Sequence, residues 1–325
     1  MPSGTMMSLL RIPSLGWLFA GLAVSGCIGV EVSAEEEILI PGKDTFPESI
    51  TIADDGQLFV SSPENGSIYT ARRGDTVAVP WIAGEAGWHS FGLAHSPDSK
   101  TLYICQVSYA DGPQAGPSAS RIMAYEIATG VSTSEYRMPP PPSMCNDIAV
   151  DRDGTLYVSD YGAQQILTFR GGGYSVCAES DRLAGVDGIA ISRAGTVFAA
   201  TYRSGELYRI DCGDSALAQV QHISLPRLLD RPDGLRMLPS GDVIVAEGGR
   251  GEVTRIRIEG NRGELARLGA SAGPSSLAID VGGDALWILD GKVAYAFDPK
   301  RRPTAAPFKI FRIVADQITA GSGRD

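Results

Sequence analysis

Short runs in which apolar residues alternate with others dominate this chain, and no stretch holds a helical period over a useful length. Residues 145–160, CNDIAVDRDGTLYVSD, show the pattern. Ile148 and Val150, then Leu156 and Val158, recur at every second position, and Asp153-Gly154 separates the two runs. This predicts a strand, a tight turn and a second strand. Asn146 and Asp147 stand directly before the first apolar run, where a plain hairpin requires no polar residue.

The phrase recurs. Counted from the residue two before the first apolar Ile or Leu, six copies begin at Glu48, Phe91, Asn146, Asp187, Asp233 and Ser275, 41 to 55 residues apart. Each copy continues into a third apolar run, at 67–69, 121–125, 165–169, 206–210, 252–256 and 292–296. A weaker fourth run usually precedes the next copy. Four short antiparallel strands repeated at this spacing predict an all-β fold, a six-bladed β-propeller of four-stranded antiparallel blades. A two-sheet sandwich leaves the sixfold similarity unexplained. Residues 37–40 are expected to close the ring beside the last blade, with 308–313 competing for that edge.

In a propeller the first strand of every blade lines the central channel. The six matched positions therefore form a ring at one mouth, and four of them, Glu48, Asn146, Asp187 and Asp233, carry carboxylate or amide oxygens. Carboxylates facing one another in a narrow channel repel and lose hydration, so they demand a cation or protons. Hard oxygen ligands suit Ca²⁺, with Mg²⁺, Mn²⁺ or Zn²⁺ as alternatives. For a single Asp or Asn a turn cap is the simpler explanation. Four matched positions out of six favour the ring.

At these residues the chain resembles the senescence-marker-protein/gluconolactonase (regucalcin-like) family of six-bladed propellers, over about residues 45–300. The family's Glu before the first inner strand falls on Glu48 in PESI, its Asn on Asn146 in CNDIAVD and its Asp on Asp233 in RPDGL. The fourth ligand of the family is usually Asn in an NG phrase; here Asp187 in VDGIA holds that place. The resemblance implies a metal-dependent hydrolase of lactones or phosphoesters. The extra carboxylate leaves the substrate open.

Composition adds limits. The chain has 325 residues and a net charge of −10, which disfavours nucleic acid as a partner. Residues 1–34 read as a targeting segment, with an apolar run after Arg11 too short to span a bilayer comfortably. Two exits are written into it. Val24-Ser25-Gly26-Cys27 resembles a lipobox, ending the signal at Gly26 and anchoring the chain to a membrane through Cys27; Val32-Ser33-Ala34 suits ordinary cleavage. Both predict an exported protein, periplasmic or extracellular, with residues 35–325 as one propeller domain and a monomer. Cys105, Cys145, Cys177 and Cys212 then allow three disulfide connectivities.

Other candidates flank the ring. Loops after the second strands are expected to place Gln106, Tyr161, Arg203 and Glu247 around the mouth as substrate contacts, together with Asp160 and Tyr202. His89 precedes the blade-two ring position and is a further candidate for substrate contact or acid/base work at the mouth, and residues 108–120 form an insertion that reads equally as a lid or a surface loop. Gly269-Ala270-Ser271-Ala272-Gly273 spells a nucleophile motif but lacks the strand-to-helix context. Two functional readings follow: a Ca²⁺-dependent hydrolase of a lactone-like small molecule, with Asp233 or Asp187 accepting a proton, or a non-catalytic binding propeller with a structural cation.

Overall fold

A computed structural model describes residues 36–213, 217–296, 298 and 300–314. The readings on the targeting segment and Cys27 lie outside the described residues. Within them, strands assemble into six four-stranded antiparallel sheets. The inner strands are Ile50–Ile52, Trp88–His95, Cys145–Val150, Val186–Ile191, Pro232–Met237 and Ser276–Ile279. Each packs beside the next, and Ile50–Ile52 returns to Ser276–Ile279, so the ring closes as a six-bladed propeller.

Alternation in an antiparallel sheet commonly marks one buried and one solvated face. Here it divides residues between two buried interfaces. Leu58 and Val60 pack between blades six and one, whereas Phe59 between them in sequence packs between blades one and two. Trp287 and Leu289 likewise face blade one, and Leu286 and Ile288 face blade five. Among the described residues six such apolar clusters form, one per blade interface. Each fully buried aliphatic or aromatic side chain contributes about 1.5–3 kcal/mol. Stability is therefore carried between blades, and no blade holds its faces alone.

The sixth blade departs from expectation. Residues 292–296 are not its third strand: Val293–Ala296 is a single helical turn. Lys292 has φ +50°, which turns the chain out of the strand direction. Its Nζ then donates to the carbonyls of Ala305 and Pro307, at 2.8 Å each, gathering the excursion back. Phe308–Val314 becomes the third strand and Glu36–Ile40 the fourth, with Ile38 opposite Ile310. The two runs expected to compete for the edge occupy successive places in one blade.

The four cysteines pair as Cys105–Cys145 and Cys177–Cys212, each with Cα atoms 5.3 Å apart. The first joins blade two to the inner strand of blade three. The second joins the outer strand of blade three to the segment after the third strand of blade four.

Candidate metal centre

The ring position sits in a local irregularity of the inner strand. Cys145 pairs with Asp160 and Ile148 with Val158, so one extra residue stands on the inner strand between them. The same shift separates Val186 from Ile189, and Pro232 from Leu235. A bulge of this kind re-aims a side chain out of the regular pleat. Asn146, Asp187 and Asp233 each lie in one. Gly188, next to Asp187, lets the strands come close: a Cβ there would run into the backbone carbonyl of Asp233.

Carboxylate oxygens of Glu48, Asp187 and Asp233 lie within 4.8 Å of one another, and all three residues are buried. The Asn146 amide Nδ2 donates to Asp187 Oδ1 at 2.7 Å. Glu48 Oε2 is buried without a hydrogen-bond partner among the described residues. A buried carboxylate oxygen left in that state costs several kcal/mol unless a cation or proton meets it. Phe91 and Ser275 complete the ring without a charge.

Electrostatics follow from this crowding. Burial first, then the charges of Asp187 and Asp147, hold the Glu48 carboxyl well above its ordinary range, against the opposing Arg236. Burial, then Asp147, pushes Asp187 up to about 8, while the Asn146 amide opposes it. Asp233 is raised by burial and then by Asp187, Glu48 and Asp147. At neutral pH the ring holds protons unless a cation displaces them.

Asp147 has a structural duty. Its Oδ1 accepts from the Ile148 N–H at 2.9 Å, and its Oδ2 from the Ile189 N–H of the next blade at 3.1 Å. Ser49 does the same between blades one and two, accepting from Leu93 at 3.2 Å. Asp147 therefore joins neighbouring inner strands beneath the ring, and burial raises its carboxyl.

The expected rim separates into two groups. Glu247 is fully buried, with Arg227 donating to both its oxygens at 2.7 Å and the Asp230 N–H adding 2.8 Å. Asp160 is held likewise by Ser143, the Met144 N–H and Gln165, and Asp290 by Ser271 and the Gly273 N–H. These three carboxylates, at the ends of second strands, brace the loop that leads into each blade's own inner strand. They support the ring from behind, and both Glu247 oxygens are engaged in these bonds. Gln106 is also buried, donating to Ser90 Oγ and accepting from Arg121 Nε at 2.9 Å. Serine 271 of the nucleophile-like motif donates to Asp290 at 2.6 Å, with no helix after it.

Tyr161 and Arg203 do sit in the loops after second strands, Arg203 exposed. His89 pairs opposite Val107 near the ring, its Nδ1 is 2.5 Å from the Pro63 carbonyl, and its ring meets the edge of Tyr109 from the blade-two insertion. The insertion carries a 3-10 turn, Pro113–Ala115, and is closed by Ser118 bonding Ser108. At the mouth, Tyr202, Ser275, Lys292 and Tyr295 enclose a small recess onto which Asp233 opens. Lys292 and Tyr295 come from the sixth-blade excursion and were missed in the sequence reading, where that run was a strand.

One channel residue was also missed. The position after each inner Ile or Leu is Thr51, Ala94, Ala149, Ala190, Arg236 and Ala278, and all six line a cavity of about 340 Å³ at the other end of the channel. Five are small and one is arginine. Superposing the copies one position further along shows this anomaly.

A six-bladed propeller with a buried acidic ring at one channel mouth is thus defined. The chain belongs to the SMP-30/gluconolactonase/LRE-like family, whose model matches residues 118–289. No curated protein sequence matches it. Among solved structures, it is similar to a gluconolactonase from Xanthomonas campestris (17% identity, TM-score 0.61), covering 83% of this chain and 86% of that one. It is also similar to a calcium-binding regucalcin from Agrobacterium tumefaciens (16%, TM-score 0.62, 86% and 95%). A virginiamycin B lyase from Staphylococcus aureus shares the fold as well (16%, TM-score 0.56, 78% and 80%). At these identities the likenesses carry the fold alone, and function is argued from the site.

Proposed function

We propose that this chain is a divalent-cation-dependent hydrolase of small lactone-like esters. The observation that carries the reading is Glu48 Oε2, buried and unpartnered among the described residues, facing the carboxylates of Asp187 and Asp233. Oxygen donors of mixed charge fit a hard cation, Ca²⁺ foremost and Mg²⁺, Mn²⁺ or Zn²⁺ as alternatives. Glu48, Asn146, Asp187 and Asp233 are the residues to hold it. When bound, such an ion supplies Lewis acidity toward a carbonyl and a water.

The chain's own groups divide the remaining work. Asn146 fixes Asp187 through the 2.7 Å bond and keeps it turned to the ring. Asp233 opens on the mouth recess and accepts the proton of the attacking water at its carboxylate, with Asp187 as the second candidate. Burial, then the charges of Asp233 and Asp187, raise the Tyr202 phenol, so Tyr202 acts as a donor toward a bound ester. His89 and Tyr161 stand as further contacts, and the blade-two insertion as a wall.

Export is part of the proposal. Two disulfides staple three adjacent blades, and such bonds persist in oxidising compartments. A lipid anchor at Cys27, a monomeric state and the lack of a nucleic-acid partner are carried forward from the sequence. The test is turnover of a panel of small sugar and aliphatic lactones by chelated protein, with divalent ions added back. Cation-restored hydrolysis that Asp233→Asn abolishes supports the reading. A bound cation with no turnover across the panel refutes the hydrolase and leaves a binding propeller.

A further inference from the structure

Beneath the acidic ring the channel is lined by Thr51, Ala94, Ala149, Ala190, Ala278 and Arg236. Five small side chains leave the waist open, and the sixth is long enough to cross it. Arg236 does cross. Its Nη2 donates to the carbonyl of Ile50, in blade one, at 2.9 Å, and its Nη1 to the carbonyl of Leu235 at 2.6 Å. Nη1 also lies 3.8 Å from Asp147 Oδ2. The guanidinium is thus pinned by backbone from two blades and separates the ring from the 340 Å³ cavity at the far mouth. That cavity's outer lining, mostly Ile52, Val150, Ile191, Met237 and Ile279, carries one carboxylate, Asp151, whose Oδ1 already accepts from the Asp153 and Thr155 N–H groups at 2.9 Å each.

We propose that Arg236 is a built-in counter-cation that closes the channel behind the acidic ring and sets the charge of the ion the ring accepts. The inference rests on the cation reading above. Glu48, Asp147, Asp187 and Asp233 are four carboxylates gathered around one axis, and Arg236 answers one of them permanently. A guanidinium stays charged at every working pH. A divalent ion then leaves the group close to balance. Without Arg236, the same cage favours an ion of higher charge, because the fixed positive neighbour that repels each added charge is gone. Closure also makes the site one-ended, so that water and substrate reach the ion from the ring mouth alone.

The test measures Ca²⁺ and Tb³⁺ affinities of chelator-stripped protein at one pH, for wild type, Arg236→Met, Arg236→Gln and Arg236→Lys. Comparing two ions at one pH cancels the protons that either displaces. The Tb³⁺-to-Ca²⁺ affinity ratio should rise about tenfold or more in Arg236→Met and Arg236→Gln, and stay within a fewfold of wild type in Arg236→Lys. Gln keeps a donor for the Ile50 carbonyl, so it separates lost charge from lost hydrogen bonding. An unchanged ratio in both neutral variants, with tight Ca²⁺ binding in wild type, overturns the role of Arg236 alone. Absence of binding by wild type overturns the cation reading with it. If the neutral variants unfold when stripped, refolding with saturating Tb³⁺ should recover them, and failure to recover also counts against the proposal.

Discussion

Asp187→Asn tests the electrostatics of the ring without any cation present. Asn is nearly isosteric with a protonated Asp, and it still offers an oxygen to the Asn146 amide. The Asp187 carboxyl has an ordinary value of 3.8 and is pushed up to about 8 in the folded protein. The folded state therefore binds more protons than the unfolded chain between those values, and stability falls as pH rises through that window. At 1.36 kcal/mol per unit, the full shift is worth at most about 6 kcal/mol. Glu48 and Asp233 relax the penalty by keeping protons themselves, so about 2–4 kcal/mol is expected. Urea unfolding of chelated protein should show wild type and Asp187→Asn nearly equal at about pH 3.5, below the ordinary value of the carboxyl. By pH 8.5 the variant should be the more stable by that amount, or about 5–10 °C in Tm. A difference that is constant with pH, or a wild type that gains stability from pH 5 to pH 8, refutes the reasoning.

Other outcomes follow from the same geometry. Gly188→Ala should displace the Asp233 backbone, lowering stability by about 2 kcal/mol or more and cation affinity at least tenfold, read by thermal unfolding and calorimetry. Removing Cys105–Cys145 by double Ser substitution opens a crosslink of sequence separation 40, and urea unfolding should register a loss of about 4 kcal/mol. Asn146→Asp should keep cation binding while hydrolysis falls, because a more anionic ligand set weakens the Lewis acid; Asn146→Ala should weaken both, measured on the same preparations.

Much of this architecture was legible because a propeller repeats. Six copies compared with one another placed the inner strands and the ring positions. The bulges that aim Asn146, Asp187 and Asp233 fall at the polar residues that break the alternation. The sixth blade was misread because Lys292–Ala296 matches the apolar pattern of a third strand, while its left-handed Lys292 is invisible to periodicity. The true strand, Phe308–Val314, lies beyond an excursion that no other blade has in that place. Glu247 and Asp160 were placed at the mouth because polar residues end their strands. Their oxygens also accept from the N–H groups of loops that enter the same blades, a demand that sequence position alone does not reveal. Arg236 was overlooked since the comparison stopped at the polar position, two residues before the apolar one.

The central claim is that the ring is a cation site. Calorimetric titration of Ca²⁺ into chelator-stripped wild type and Glu48→Gln tests it most directly, since Glu48 Oε2 is a buried carboxylate oxygen without a hydrogen-bond partner among the described residues. One divalent ion per chain should bind to wild type, and Glu48→Gln should bind it at least tenfold more weakly. Equal binding by both proteins, or none by wild type from pH 6 to pH 9, contradicts the account.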